Sequence, residues 1–401
     1  MKTVEIKRFA GVRNDISPER FKFNEKDTGL TDLLNGSNVE LDETGKPYRR
    51  LGTAQIDSSA VHSIWSDGDT FLCVRNGSLA RMDKLLAFQD LSVPIKGTRV
   101  TYLRVGRDVF FTDGVQAGII HDTNGYRVWG ITPPSTPAVT VTAGDMLAGT
   151  YLVALTFMRD SGVESGASPM VAVTLGDNEG LSIELPTSLD LDVDYVRVYV
   201  TTCNGEVPLL AAEHPRSDTL SSIVSLPTAH TLPLRTAQYG AAPSGQLLGY
   251  YHGRIYVAEN NYLWYSDPYE YELFKLTSNF IGFDSPVRTF APVSDGLFVG
   301  SDAETLFLRG TDPSDFSVEV VANYGTLMGT EVFVKDHQLG DDAKTDASFW
   351  MSKQGLCMGL DGGEYKNLTG SRYMLPDGVS HGASLLKVRG GTPHIVTNLI
   401  Q

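Results

Sequence analysis

One pattern governs what this chain can fold into: a short apolar run, a turn of Asn, Asp or Gly, and a second short run. Thr70 to Val74 turns at Arg75-Asn76-Gly77 and returns through Ser78 to Met82. Val109-Phe110-Phe111 turns at Thr112-Asp113-Gly114 and returns through Ala117 to Ile120. Ile255 to Ala258 turns at Asn260-Asn261 and returns through Tyr262 to Tyr265. Leu297-Phe298-Val299 turns near Ser301-Asp302 and returns through Thr305 to Leu308. Leu356-Cys357-Met358 turns at Asp361-Gly362-Gly363 and returns through Glu364 to Leu368, and a last hairpin turns at Arg389-Gly390-Gly391. Two strands around such a turn form a β-hairpin. With 40 Gly and 19 Pro spread over 401 residues, long helices are disfavoured throughout.

The spacing of these units is informative. Gly68 to Gly106 spans about 38 residues and Gly253 to Gly296 about 43, near the period of a propeller blade. A single blade leaves both sheet faces open, and stacking blades covers them. The interval from Gly106 to Gly253 is too long, but it contains a separate pattern. Pro133-Pro134-Ser135-Thr136-Pro137 reads as a linker. Strict alternation follows at Val139/Val141, Tyr151/Val153/Leu155/Phe157, Leu181/Ile183/Leu185 and Val196/Val198/Val200, the mark of a β-sandwich. Removing about 105 residues restores the blade period. The interval from Gly296 to Gly355 holds an extra blade, a long loop, or both. The expected fold class is therefore all-β, a β-propeller-like array of short antiparallel hairpins with an inserted β-sandwich. The expected segments are 1–132, 133–238 and 239–401.

Charge narrows the partners. The 33 Lys and Arg face 48 Asp and Glu, a net charge of −15, which disfavours a nucleic-acid binder because phosphate repels it. The first fifty residues are nearly balanced, so the excess lies beyond them. An apolar share of 41% excludes a disordered chain, and no apolar run is long enough to span a membrane. Residues 1–10 lack the apolar core of a signal peptide. Cys73, Cys203 and Cys357 are few, distant and set in apolar runs, so free buried thiols in a reducing compartment are expected.

Catalytic signatures are sparse. The chain has no GxSxG, HExxH, P-loop or CxxC pattern. His121, His214 and His381 lie near acids or turns and read as structural or solvated. Asp190, Asp192 and Asp194 alternate with Leu189, Leu191 and Val193, which predicts one acidic strand face or a loop able to hold Ca²⁺; the solvated face is preferred. Ser66-Asp67-Gly68-Asp69 resembles the Asp-box turns of sialidase-like propellers but lacks their spacing and does not recur, so it reads as a turn. A glycosidase needs two carboxylates across a pocket, and nothing in the sequence selects such a pair. The expectation is no enzyme, no cofactor and no metal.

The N-terminal region differs in kind. Phe9-Ala10-Gly11-Val12-Arg13-Asn14-Asp15-Ile16-Ser17-Pro18-Glu19-Arg20-Phe21 is followed by Asn38-Val39-Glu40-Leu41-Asp42-Glu43-Thr44-Gly45-Lys46-Pro47-Tyr48-Arg49-Arg50-Leu51-Gly52-Thr53. The second stretch predicts a hairpin turning over Asp42 to Gly45. Together with Trp264 to Pro268, Ala291 to Gly300 and Gly310 to Ser317, it resembles the tail nozzle proteins of short-tailed double-stranded DNA phages. That resemblance implies a virion protein made in the host cytoplasm and placed in the tail below the portal and adaptor. It also implies a homo-oligomeric ring, six copies being expected, with tail fibres or a needle as neighbours. Genomic DNA would pass through without specific binding, which an acidic lumen favours. The insertion resembles the fibronectin-III or immunoglobulin-like modules of phage structural proteins.

Lys46, Arg49 and Arg50 cluster in an otherwise acidic chain and form the candidate protein-docking site, a solvated basic turn being the alternative. The same hairpin is expected to complete a blade begun by the C-terminal hairpin. Two other readings stand beside the ring protein. One is a propeller that binds or cleaves carbohydrate on the bacterial surface, and the other is a scaffold propeller that binds proteins.

Overall fold

The computed structural model describes residues 8–20, 30–42, 44–52, 54–121, 125–227, 232–339, 345–370, 372–389 and 392–401. Phe21, Glu43, Thr53 and the Gly390-Gly391 turn lie outside the described residues.

The fold is all-β. Five four-stranded antiparallel sheets follow one another, each a meander in chain order. The first joins Val61–Ser66, Phe71–Arg75, Ser78–Met82 and Phe88–Pro94. The second joins Thr101–Val105, Asp108–Thr112, Ala117–Ile120 and Tyr126–Val128. After the insertion come a third (Leu247–Tyr251, Arg254–Glu259, Tyr262–Tyr265, Phe280–Gly282) and a fourth (Val287–Val293, Gly296–Ser301, Thr305–Arg309, Ser317–Ala322). The fifth joins Val332–Val334, Ala347–Ser352, Gly355–Gly359 and Tyr365–Asn367. These are the blades of a propeller-like array. The hairpins expected from the turns are the second and third strands of the first four sheets. In the fifth they are the third and fourth, and the stretch between Gly296 and Gly355 adds a loop with a one-turn helix at Asp336–Leu339 rather than an extra sheet.

Turn chemistry sets these registers. Asn76 and Gly77 both take positive φ, 51° and 80°, the two-residue geometry that matches strand twist. Arg75 then pairs with Ser78 and Phe71 with Met82. Alternation follows, so Leu72, Val74 and Leu79 bury on the face that meets Val109, Phe111 and Ile120 of the second sheet.

The insertion is a two-layer sandwich. One sheet orders Val139–Met146, Glu179–Glu184 and Leu220–Ile223; the other orders Val171–Leu175, Gly149–Met158, Tyr195–Val200 and Leu209–Pro215. The alternating residues singled out above meet between the layers, with Val153, Leu155, Leu181, Ile183 and Val198 fully buried. The first strand of the insertion pairs with its fourth, which differs from the immunoglobulin pattern, where the first pairs with the second.

Two compact units divide the chain. One is Val61–Gly282, holding the first three sheets and the sandwich; the other is Met1–Ala60 with Phe283–Gln401, holding the last two sheets and both terminal segments.

Candidate docking surface and charged sites

The hairpin that carries Lys46, Arg49 and Arg50 pairs Val39–Leu41 with Pro47–Arg49, so that Glu40 faces Tyr48. Its turn is held by Asp42, whose Oδ1 accepts the Thr44 N–H at 2.9 Å, the Thr44 hydroxyl at 2.7 Å and the Lys46 N–H at 2.9 Å. Those donors, Thr44 first, hold the Asp42 carboxyl below the usual carboxylate range. Gly45 has φ +80° and a Cβ there would overlap the Phe9 carbonyl, so glycine alone fits. Lys46 and Arg49 are exposed, while Arg50 lies 3.9 Å from Glu40, which also accepts the Tyr48 hydroxyl at 2.9 Å. All three cations thus face solvent, Arg50 beside the half-buried Glu40 carboxylate.

The expected blade completion does not occur. Val39–Leu41 and Pro47–Arg49 form a two-stranded sheet of their own, and so do His381–Arg389 and Thr392–Ile400. The N-terminal strands are only three residues each, while the nine-residue C-terminal strands pair with one another along their whole length. Asn14 ties the N-terminal segment to the C-terminal part instead. Its N–H donates to the Arg372 carbonyl at 2.9 Å, its side-chain amide to the Met374 carbonyl at 2.8 Å, and its Oδ1 accepts the Met374 N–H at 2.7 Å. Asp32 adds an ionic bridge, 3.3 Å from both Arg13 and Arg372. Sequence reasoning saw Arg13 and Asn14 only as part of a resemblance. The Asn14 partner Met374 is 360 residues away, beyond the reach of any local pattern, while Arg13 bonds the nearer Asp15 and Asp32.

A second charged site fastens the sandwich to the sheets of its own unit. Arg159, at the end of Gly149–Met158, is buried, its side chain only 4% exposed. Its Nη1 lies 2.6 Å from Glu272 Oε2, and its Nε lies 2.7 Å from Asp192 in an ionic contact rather than an aligned hydrogen bond. Nη2 donates to the carbonyls of Val128 and Gly130. Glu272 is shared with Arg127 at 2.5 Å, and Arg127 Nε donates to His121 Nε2 at 2.8 Å. His121 must then carry its proton on Nδ1, which donates to Asp108 at 2.5 Å. Beside this chain, Gly166 of the insertion lies against Tyr239, where any Cβ would overlap the Tyr239 carbonyl. Asp190, Asp192 and Asp194 are therefore not a strand face but a loop drawn in by Arg159. Asp190 is pushed above the usual carboxylate range by burial first and by the Asp192 charge second.

Other polar groupings are joints. Asp67 Oδ1 accepts the N–H of Asp69 and Thr70, and its Oδ2 accepts from Arg104 at 2.5 Å, linking the first two sheets beside an open cleft of about 600 Å³. Burial pushes this carboxyl up, but the Thr70 N–H and Arg104 outweigh it and hold it low. His214 bridges Asp218 at 3.3 Å and Ser221 at 2.8 Å. Ser221 is 1% exposed, so this trio works as a polar staple between the two layers of the sandwich. Cys73 and Cys357 are buried free thiols and Cys203 is a partly buried one. Tyr262, Trp264 and Phe280 form a partly exposed aromatic group with ring centroids 5.2–5.9 Å apart, the Trp264 indole donating to Glu259 at 3.2 Å. Among the described residues no three His, Cys, Asp or Glu side chains are grouped to hold a metal, and no helix is long and apolar enough to cross a membrane.

Comparison with known proteins adds little beyond the architecture. No protein-family model and no curated protein matches the chain. Among solved structures, the N-terminal domain of Nup159 aligns over 84% of this chain and 73% of its own length, at 12% identity and a TM-score of 0.31. Hsv2 of Kluyveromyces lactis aligns over 85% and 98%, at 6% identity and a TM-score of 0.29. The extracellular domain of the putative hybrid two component system BT4673 from B. thetaiotaomicron aligns over 87% and 59%, at 10% identity and a TM-score of 0.26.

Proposed function

We propose that this chain is a structural protein of a phage tail, a nozzle or hub subunit that assembles into a homo-oligomeric ring. In this reading the ring sits below the portal and adaptor, and DNA passes through it without being bound. One observation carries the proposal. The compact stretch from Gly11 to Asp15, where the resemblance to tail nozzle proteins begins, contains the two residues that staple the N-terminal segment, Arg13 and Asn14. A motif with that mechanical task suits a particle that must hold its shape under load. The fixed mounting of the sandwich supports the same reading, since a braced module serves as a contact arm. Lys46, Arg49 and Arg50 are the proposed docking residues for an acidic neighbour. The test is assembly: the purified chain, alone or with its portal–adaptor complex, forms closed rings and leaves capsule and lipopolysaccharide intact. Degradation of either polymer overturns the proposal.

A second reading, a carbohydrate-binding propeller, is favoured by the aromatic group of Tyr262, Trp264 and Phe280. Exposed aromatic rings beside a carboxylate suit the apolar faces and hydroxyls of a sugar. Saccharide-induced quenching of tryptophan fluorescence that disappears in Trp264→Ala would select it.

A further inference from the structure

The loop that Arg159 draws in has a second property. Leu189 and Leu191 project from it 99% and 87% exposed. Yet its backbone is braced on several sides. Arg216 donates to the carbonyls of Leu191 at 2.9 Å and Ser188 at 3.1 Å. The Asp160 N–H donates to Asp194 at 2.6 Å, and the Asp194 N–H to the Met158 carbonyl at 2.9 Å. Single exposed leucines are ordinary, but two held out by a fixed loop have already met the ordering cost of binding.

A matching surface exists on the same chain. The C-terminal hairpin packs Leu386 and Ile395 against Val334, Ala347 and Phe349. Its other face pairs Leu385 with Val396, 54% and 38% exposed, followed by Lys387 opposite His394. That face is an apolar strip with a cationic end. The loop is an apolar pair flanked by Asp190, Asp192 and Asp194. Apolar meets apolar and acid meets base.

We infer that Leu189 and Leu191 of one copy dock on the Leu385/Val396 face of a second copy, with Lys387 near the acidic flank. The contact is heterologous, so it builds a ring when the rotation closes. The inference rests on the ring reading above and names the surface that makes the ring. An anionic bilayer is the poorer occupant, because the loop's three aspartates outnumber the Arg159 and Arg216 guanidiniums beside them and leave it net acidic.

The experiment is mass photometry of the full chain, wild type against Leu189→Asp/Leu191→Asp and Leu385→Asp. Unchanged melting temperatures establish that each variant folds. Burial of each leucine implies about a ten- to hundredfold loss of self-association when it is removed. The pair Leu191→Cys/Val396→Cys should cross-link between copies under oxidation, while neither single change does. A wild-type assembly that survives both aspartate variants overturns this contact and leaves the ring reading standing. A wild type that stays monomeric at its highest soluble concentration overturns both. Sedimentation of wild type, but not the leucine variant, with vesicles of three parts phosphatidylcholine to one part phosphatidylglycerol would assign the loop to a membrane and also overturn the contact.

Discussion

Replacing Arg159 by Met keeps the aliphatic stem and removes the charge that joins Glu272 and Asp192. The side chain is almost fully buried, so its partners are poorly screened by water. Removing one member of a buried pair strands the other and typically costs about 3–5 kcal/mol. Here Glu272 keeps Arg127, which places the loss at the lower end, about 3 kcal/mol. For a unit the size of Val61–Gly282 each kcal/mol moves the melting temperature by about 2–4 °C, so Arg159→Met should lower it by about 6–12 °C. Calorimetry of the full chain reads the shift, and limited proteolysis reads the mounting, since cleavage near Pro133–Pro137 should quicken. A cycle with Glu272→Gln should be non-additive by about 1–3 kcal/mol. A loss below about 1 kcal/mol, or strict additivity, would refute the reasoning, because the buried ion pairs would then not be what fastens the sandwich.

Asn14→Ala removes two hydrogen bonds made by the side chain to Met374, a loss of about 1–3 kcal/mol readable as a lower denaturation midpoint. Asp113 accepts N–H groups of Lys96, Gly97, Val115 and Gln116, which outweigh burial and hold its carboxyl below the usual range. Its folded-state pKa being depressed, the stability it contributes is present above the ordinary carboxylate value near 4 and is lost as pH falls through the folded value. Asp113→Asn should therefore lower stability at neutral pH and flatten the acid limb of the stability–pH curve; an unchanged limb would count against it. Arg49→Glu/Arg50→Glu should leave the fold intact and weaken incorporation into particles, with about 0.2–1 kcal/mol per rim charge multiplied over a ring. Wild-type occupancy and salt sensitivity of the double variant would remove the docking role.

The parts that could be read from sequence are those written in local chemistry. Asn76-Gly77 states its own turn, because few other pairs tolerate two positive φ values, and the strands on either side follow. The sandwich core was equally legible, since Val153, Leu155 and Phe157 alternate on one buried face. The first and last strands of the first four sheets were not, because strands such as Tyr126–Val128 and Phe280–Gly282 are three residues long and bury little. The fifth sheet slipped by one strand because Gly355 opens its third strand rather than its second, and the preceding hairpin, Ala347–Ser352 into Gly355–Gly359, has a Lys353-Gln354 turn with no Asn, Asp or Gly. The charged mount was invisible for another reason. Arg159 and Glu272 are 113 residues apart, and Arg127 and Glu272 are 145 apart, so only the fold brings them together. The alternation of Asp190, Asp192 and Asp194 left a strand face or a loop open, and Arg159 and Arg216 hold the segment as a loop.

Imaging of the purified full chain by electron cryomicroscopy tests the central claim most directly. The account predicts closed rings in which the inserted sandwich is resolved as clearly as the sheets that hold it. Single copies at every concentration would contradict the ring. Rings whose sandwich density is smeared would contradict the mounting through Arg159 and Glu272.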